Sequence, residues 1–137
     1  MRLLAAVLSL FLFSPALPVL HAQMPSAGTP SPCDGTMVIT RVSLIKPGQM
    51  SLFLKAVDAQ QLWYRASGVP TNRIVVGKVI DPRTGVVSDT EVVTYHINAP
   101  GSDVQLPRGN DGYKAFVQMF RDSSDIKFEY YTCTPKM

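Results

Sequence analysis

The stretch that decides the fold runs from Met37 to Gly68 and reads MVITRVSLIKPGQMSLFLKAVDAQQLWYRASG. Its first part, up to Ile45, divides into two faces with a period of two, and Val38, Val42 and Leu44 share one of them, as in a β-strand. Pro47 and Gly48 then turn the chain, and the remainder has helical spacing. Gly68 can take the left-handed conformation that ends a helix. The sequence therefore predicts a strand followed directly by an amphipathic helix.

Two apolar stripes run along this predicted helix. The stripe expected to cover the sheet, interrupted by the polar Gln61, consists of Met50, Phe53, Leu54, Val57 and Tyr64. The second stripe, roughly on the opposite side, consists of Leu52, Ala56, Ala59 and Trp63. A two-layer domain would leave that side in water, so the second stripe needs a partner surface, whose identity the sequence leaves open.

The rest of the domain adds strand, strand, helix and strand, in that order. Residues 74–80 (IVVGKVI) and 91–97 (EVVTYHI) are rich in β-branched side chains and form a predicted hairpin. A loop over 98–110 precedes a helix that Asp111 is expected to cap, and the last strand spans 126–134. The order β-α-β-β-α-β predicts an α+β, ferredoxin-like sandwich: a four-stranded antiparallel sheet with both helices on one face.

The two cysteines of the chain, Cys33 and Cys133, lie at opposite ends of this domain. In the predicted sheet the fourth strand pairs antiparallel with the first, so the start of one lies beside the end of the other. A lone pair of cysteines in an exported protein most simply forms a disulfide. We therefore expect a Cys33–Cys133 bridge, with two free thiols as the alternative.

The chain begins like an exported protein. Met1-Arg2 is followed by the apolar run LLAAVLSLFLF, which is typical of a secretory signal peptide and short for a membrane span. We expect a signal peptide over 1–22, a flexible Pro- and Ser-rich lead-in over 23–32, and a single domain over 33–137, in the periplasm or secreted. The formal net charge of +3 is spread singly, so neither nucleic acid nor a membrane surface is the expected partner after signal removal.

With both helices on one face, the other face of the sheet is bare. Val38, Val42 and Leu44 share one face of the first strand, and Ile126, Phe128 and Tyr130 are expected to share one face of the last. Apolar sheets of this size are not left uncovered. We therefore expect a homodimer in which two copies pack through the open sheet face.

The opening of the domain resembles a known family. The segment Arg41-Val-Ser-Leu-Ile-Lys-Pro47-Gly48, followed by a long helix that ends in Trp-Tyr-Arg and a glycine, is similar to the opening strand and helix of the dimeric α/β-barrel proteins. It is closest to the NIPSNAP-like branch, whose pattern is Arg-x-Tyr-x-x-x-Pro-Gly, with Ser43 where the family usually has Tyr. The wider superfamily includes cofactor-free monooxygenases, haem-degrading enzymes and proteins of no known activity, so the resemblance implies the fold and a dimer.

Three residues are the candidates for ligand binding: Arg41, His96 and Tyr131. Arg41 and His96 are also the candidate catalytic residues, because if both lie on the open sheet face they could hold an anionic or carbonyl-bearing ligand. The alternatives are a structural ion pair of Arg41 with Glu129, a packed histidine, and a tyrosine in the sheet face or dimer core. No metal site and no cofactor are expected, because a zinc site would have His96 and carboxylates alone.

No nucleotide-binding glycine motif and no nucleophile elbow occurs in the chain. The expected function is therefore that of a small-ligand-binding or protein-interaction module, with a cofactor-independent monooxygenase-like enzyme as the alternative. The ligand pocket would lie between sheet and helices. An interaction module would instead fill that space with Phe53, Val57, Phe116 and Phe120.

Overall fold

The computed structural model describes residues 33–135, which form one antiparallel sheet and two helices. The elements are β1 (Thr36–Ile45), α1 (Met50–Ala66), β2 (Arg73–Ile80), β3 (Val87–Ile97), α2 (Asp111–Ser123) and β4 (Ser124–Thr134). The strand order is β2-β3-β1-β4, with β1 and β3 in the centre. This confirms the ferredoxin-like α+β prediction.

The expected signal peptide and lead-in lie outside the described residues, among which no helix is long and apolar enough to cross a membrane.

Both glycines of the opening stretch have the backbone conformation that the sequence implied. Gly48 has φ +73° in the turn before α1, and Gly68 has φ +82° just after it. At that end the Val69 amide donates to the Tyr64 carbonyl at 3.0 Å and the Gly68 amide donates to the Arg65 carbonyl at 3.3 Å. These two bonds make a Schellman motif, so the last turn of α1 is closed by the glycine.

The predicted disulfide is present between Cys33 and Cys133, whose Cα atoms are 5.5 Å apart across a sequence separation of 100 residues. Cys133 pairs with Met37 at the start of β1. The antiparallel β1–β4 pairing therefore brings the two ends of the domain together, and the disulfide joins them.

The second stripe of α1, whose partner surface the sequence left open, packs within the domain. Ala56 is fully buried and Trp63 is 7 % exposed, and the Trp63 ring lies 5.5 Å from the ring of Phe116 on α2. Leu54, expected to face the sheet, is instead 41 % exposed. Helix α1 packs against both the sheet and α2. The buried side of α1 therefore lies between these two surfaces and does not include Leu54. The core beneath it consists of Ile45, Phe53, Val57 and Val92, with Met50, Ile74 and Phe120 against it.

The start of α2 differs from the prediction by one residue. Asn110, rather than Asp111, is the N-cap, and its side-chain oxygen accepts from the Tyr113 amide at 2.8 Å. The same oxygen accepts from the Trp63 indole N–H at 3.0 Å. Because Trp63 lies in the last turns of α1, this one acceptor connects the two helices.

A β-bulge in β4 corrects the expected faces of that strand. The register shifts between Val42 and Ser43, so Val42 pairs with Phe128 whereas Ser43 pairs with Ile126. Ile126 therefore does not share a face with Phe128 and lies on the helix side. The open sheet face, away from the helices, carries the polar residues Arg73, Glu91 and Thr132 as well as Val38, Thr40, Val42, Leu44, Val75, Gly77, Val93, Tyr95, Ile97, Phe128 and Tyr130.

Candidate functional site: a cavity between the sheet and the helices

A cavity of about 700 Å³ lies between the helix-facing side of β1 and β4 and the two helices. Its aromatic lining comes from both helices and from β4 and consists of Trp63, Tyr64, Tyr113, Phe116, Phe120 and Tyr131. Three of these rings touch one another: Trp63 is 5.3 Å from Tyr113 and 5.5 Å from Phe116, which are 5.1 Å apart. We call these three residues the aromatic wall. Trp63 and Phe116 are only 7 % and 3 % exposed, so the aromatic wall borders the cavity as a packed cluster of rings.

Arg41 and Glu129 occupy directly paired positions on β1 and β4. The Arg41 Nε donates to Glu129 Oε2 at 2.5 Å, and the terminal nitrogen of the guanidinium contacts the same oxygen. The other carboxylate oxygen accepts from the Tyr131 hydroxyl at 2.8 Å. The predicted ion pair is therefore present, and both carboxylate oxygens are engaged by side chains next to the cavity.

These contacts set the ionisation of the pair. Burial raises the pKa of Glu129, but the Tyr131 hydroxyl and the Arg41 guanidinium together outweigh it and hold that pKa below its ordinary value. Partial desolvation raises the pKa of Tyr131, and its bond to the Glu129 carboxylate adds to the rise. At neutral pH the carboxylate is charged and the phenol keeps its proton, so Tyr131 donates to Glu129 rather than acting as a base.

Gln60 contributes a buried polar group to the cavity wall. Its side chain is 7 % exposed, and its Oε1 accepts no hydrogen bond from residues 33–135. One turn further along α1, burial raises the pKa of Tyr64, while hydrogen bonding from Gln60 and the positive charges of Arg108 and Arg41 oppose the rise. All four of these residues line the cavity.

Two further arginines line the cavity without an acidic partner in the described part of the chain. Arg108 comes from the loop before α2, and Arg121 lies in the last turn of that helix. The one acid in the lining, Asp125, is 4.0 Å from Lys46 Nζ. With Arg41 already paired, the charge available to a ligand is positive.

His96 and Arg41 lie on the helix-facing side of the sheet and not on its open face as expected, and His96 is not among the residues that line the cavity. It pairs with Ile39 on β1 and is 3 % exposed. Burial, and secondarily the positive charge of Arg41, lower its pKa from 6.5 to about 4. It is therefore a neutral, packed residue at physiological pH, close enough to Arg41 for their charges to interact.

Of the three predicted ligand residues, Arg41 and Tyr131 meet at the cavity, and His96 lies behind it. The sequence reasoning did not identify Gln60 and Arg108. Gln60 falls between the two apolar stripes on the buried side of α1, and a polar residue at such a position is the signal that could have identified it. Arg108 lies in a loop without periodicity, and nothing in its neighbourhood marks it. Within the described ranges no three His, Cys, Asp or Glu side chains are grouped to hold a metal ion.

The fold and the cavity define the class of protein: a disulfide-closed, ferredoxin-like α+β domain with an aromatic, positively charged pocket between its two layers. Comparison of the chain with protein-family models, with curated proteins and with solved structures finds no match. The resemblance to the NIPSNAP-like branch therefore stays a prediction.

Proposed function

We propose that the protein is an exported domain that binds a small, largely apolar ligand in the cavity between its sheet and helices. The observation that carries the proposal is the cavity itself. Its volume of about 700 Å³ falls in the range of small-molecule sites, roughly 300–1,000 Å³. Such sites combine an apolar lining with a few convergent polar groups, which here are the aromatic wall and the groups around Gln60 and Arg41.

The packing of the apolar side chains favours ligand binding over a role as a closed interaction module. Phe53, Val57 and Phe116 are buried, and Phe120 packs against Phe53 at a ring distance of 5.5 Å. The cavity persists although these side chains have packed, so they do not fill the space between the layers. A cofactor-independent monooxygenase-like activity would need the same cavity and also stays a prediction.

Export and dimerisation are the other parts of the proposal. The Cys33–Cys133 disulfide is compatible with an oxidising compartment. On the open sheet face Leu44, Tyr95 and Phe128 are 39–40 % exposed and Tyr130 is 57 % exposed. A second copy packed on this face would cover them, with the two copies related by a twofold axis.

The experiment uses Trp63, the single tryptophan of the chain, which lies in the cavity wall. The protein, as its own host produces it, is titrated with N-phenylnaphthylamine, a neutral aromatic probe, while Trp63 emission and probe emission are followed together. We expect saturable quenching of Trp63, one probe for each chain, and a matching rise in probe fluorescence.

An absence of saturable binding by this probe would contradict the proposal. Binding that leaves Trp63 emission unchanged would also contradict it, because that result would place the probe on another surface. Far- and near-ultraviolet circular dichroism recorded along the titration verifies that the domain remains folded.

A further inference from the structure

Strand β4 forms one edge of the sheet and is the least covered strand of the domain. It pairs with β1 on one side and with no strand of residues 33–135 on the other. All of its residues except Ser124 and Glu129 are exposed. The bulge lies near its start, so residues 128–134 form the regular part of this edge. An unpaired strand edge offers a row of backbone donors and acceptors to another extended chain.

The side of β4 that faces the helices carries apolar side chains with little cover. Ile126 is 60 % exposed and Tyr131 is 64 % exposed, and both line the cavity. Helix α2 leaves them uncovered and packs on α1, where the ring of Phe120 lies 5.5 Å from the ring of Phe53. Because α2 and β4 both contribute to the lining, the cavity opens beside the free edge of β4.

A free strand edge next to an apolar cavity is an arrangement by which domains bind an extended peptide as an additional strand. The backbone of the peptide pairs with the edge, and every second side chain points to the side on which the cavity lies. A small rigid molecule would use the cavity but would leave the backbone groups along residues 128–134 without a strand partner. The edge and the cavity together therefore favour a peptide.

The charge at the cavity selects among peptides. Arg108 and Arg121 line the cavity, both are exposed, and neither has an acidic partner among residues 33–135. The acid in the lining, Asp125, lies 4.0 Å from Lys46 Nζ and so has a cation beside it already. Carboxylates on the peptide would complement the two arginines.

Going beyond the proposed function in the partner and resting on it for the cavity, we infer that β4 accepts an extended acidic segment of another protein as an additional strand. Main-chain hydrogen bonds to residues 128–134 hold this segment. Its alternate apolar side chains enter the cavity beside Ile126 and Tyr131, and its carboxylates pair with Arg108 and Arg121. The segment binds on the helix-facing side of the sheet, which the proposed dimer leaves free.

The probes are fluorescent, end-blocked peptides of the form Glu-Thr-X-Thr-X-Thr-Glu, in which X is Val, Ile, Leu or Phe and shares a face with the glutamates. Each peptide is titrated into the natural protein, and binding is read from fluorescence anisotropy. We expect saturable binding of at least one peptide, with one peptide for each chain, and displacement of N-phenylnaphthylamine by it. Replacement of both glutamates by glutamine should weaken binding about tenfold at low salt, and equal affinity would overturn the role of charge.

The strand pairing is tested by N-methylation of the peptide. Successive N–H groups of a strand point to opposite edges, so N-methyl groups at the X positions and N-methyl groups at the threonines block different edges. Only the edge that pairs with β4 matters. One pattern should therefore weaken binding at least about tenfold, and the other should leave it unchanged. An equal effect of the two patterns would overturn the addition of a strand.

Variants of the protein locate the site. Ile126→Asp places a carboxylate beside the cavity and should weaken peptide binding at least about tenfold, because it repels the acidic peptide and removes an apolar contact. Ile80→Asp is the matched control, since Ile80 is a 56 % exposed isoleucine on β2, the other edge strand. It should bind the peptides like the natural protein. The same affinity in both variants, or a loss in Ile80→Asp alone, would overturn the assignment to β4.

Native mass spectrometry of the same variants shows whether β4 pairs instead with a second copy of the chain. Ile126→Asp should keep the oligomeric state of the natural protein, because the proposed dimer uses the open sheet face. Its conversion to a monomer would overturn the inference. If N-phenylnaphthylamine binds and no peptide binds, the inference fails and the proposed function stands. If neither binds, both fail.

Discussion

Arg41 and Glu129 face each other across the β1–β4 pair, and the Arg41 Nε donates to Glu129 Oε2 at 2.5 Å beside the cavity. Their side chains are only 25 % and 22 % exposed. The pair is therefore more shielded than a surface salt bridge, and Tyr131 holds the second carboxylate oxygen. It ties the edge strand β4, which carries one wall of the cavity, to the central strand β1.

Removing the cation from this pair should destabilise the domain. Arg41→Met leaves the Glu129 carboxylate with Tyr131 as its remaining side-chain partner, and we expect a loss of about 1–2 kcal/mol, between the values for exposed and buried pairs. Unfolding by urea measures it. The matched control is Lys127→Met in the more exposed Lys127–Glu91 pair, where Lys127 is 44 % exposed and the loss should stay below about 0.5 kcal/mol. Equal losses in the two variants would contradict this account.

The buried His96 should make the domain sensitive to moderate acid. Its folded pKa of about 4 lies below its ordinary value of 6.5, so the unfolded chain takes up the proton first. The free energy of unfolding should fall by about 3 kcal/mol as the pH drops from 6.5 to 4. The pKa of Glu129 is lowered in the folded protein, so the stability that this carboxylate contributes is lost only when the pH falls below the ordinary pKa of a glutamate.

His96→Gln separates these two contributions, because it keeps a polar side chain that does not titrate. Urea unfolding across the pH range should show a nearly flat stability between pH 6.5 and pH 4 in this variant, with the decrease at lower pH retained. An unchanged slope in His96→Gln would show that another group carries the acid sensitivity.

Loss of the disulfide should be costly. Closing a loop of 100 residues stabilises a fold by about 4–5 kcal/mol on the chain-entropy model. The double variant Cys33→Ala, Cys133→Ala should therefore have a much lower urea midpoint than the oxidised protein, and a reducing agent should lower the stability of the natural protein but not that of the double variant. A linked Cys33–Cys133 peptide in a non-reduced digest is the accompanying check, and recovery of both cysteines alkylated without reduction would refute the bridge.

The proposed dimer predicts that charge on the open sheet face is not tolerated at the interface. Phe128→Arg places a cation beside Val42 and Tyr130 on that face and should yield a folded monomer. Leu62→Arg adds the same charge at a 62 % exposed position on α1 and should leave the dimer intact. Native mass spectrometry measures both variants. A monomeric natural protein would show that the open face is not a self-association surface.

Local patterns predicted much of the fold. The alternation of β1, the helical spacing of α1, the turn at Gly48 and the cap at Gly68 are properties of short segments. The order of elements and the right-handed crossover rule then placed β1 beside β4, and with them Cys33 beside Cys133.

The features of the fold that depend on tertiary packing could not be predicted from the sequence. The bulge at Val42 and Ser43 reversed the expected face of Ile126 because strand registers are set by the whole sheet. The second stripe of α1 contacts α2. The order of elements along the chain does not show how α1 is rotated about its own axis, so this contact could not be predicted. Gln60 became a candidate only once its acceptor was found buried in the cavity wall.

The measurement that tests the central claim most directly is the affinity of N-phenylnaphthylamine for a protein whose cavity has been occluded. Val117 lines the cavity, so Val117→Phe adds a ring inside it, whereas Val86→Phe adds the same ring at a 63 % exposed site in the loop before β3. We predict that Val117→Phe weakens probe binding at least about tenfold and that Val86→Phe leaves it unchanged, with both variants folded. Equal probe affinity in both variants and in the natural protein would show that the cavity is not the binding site.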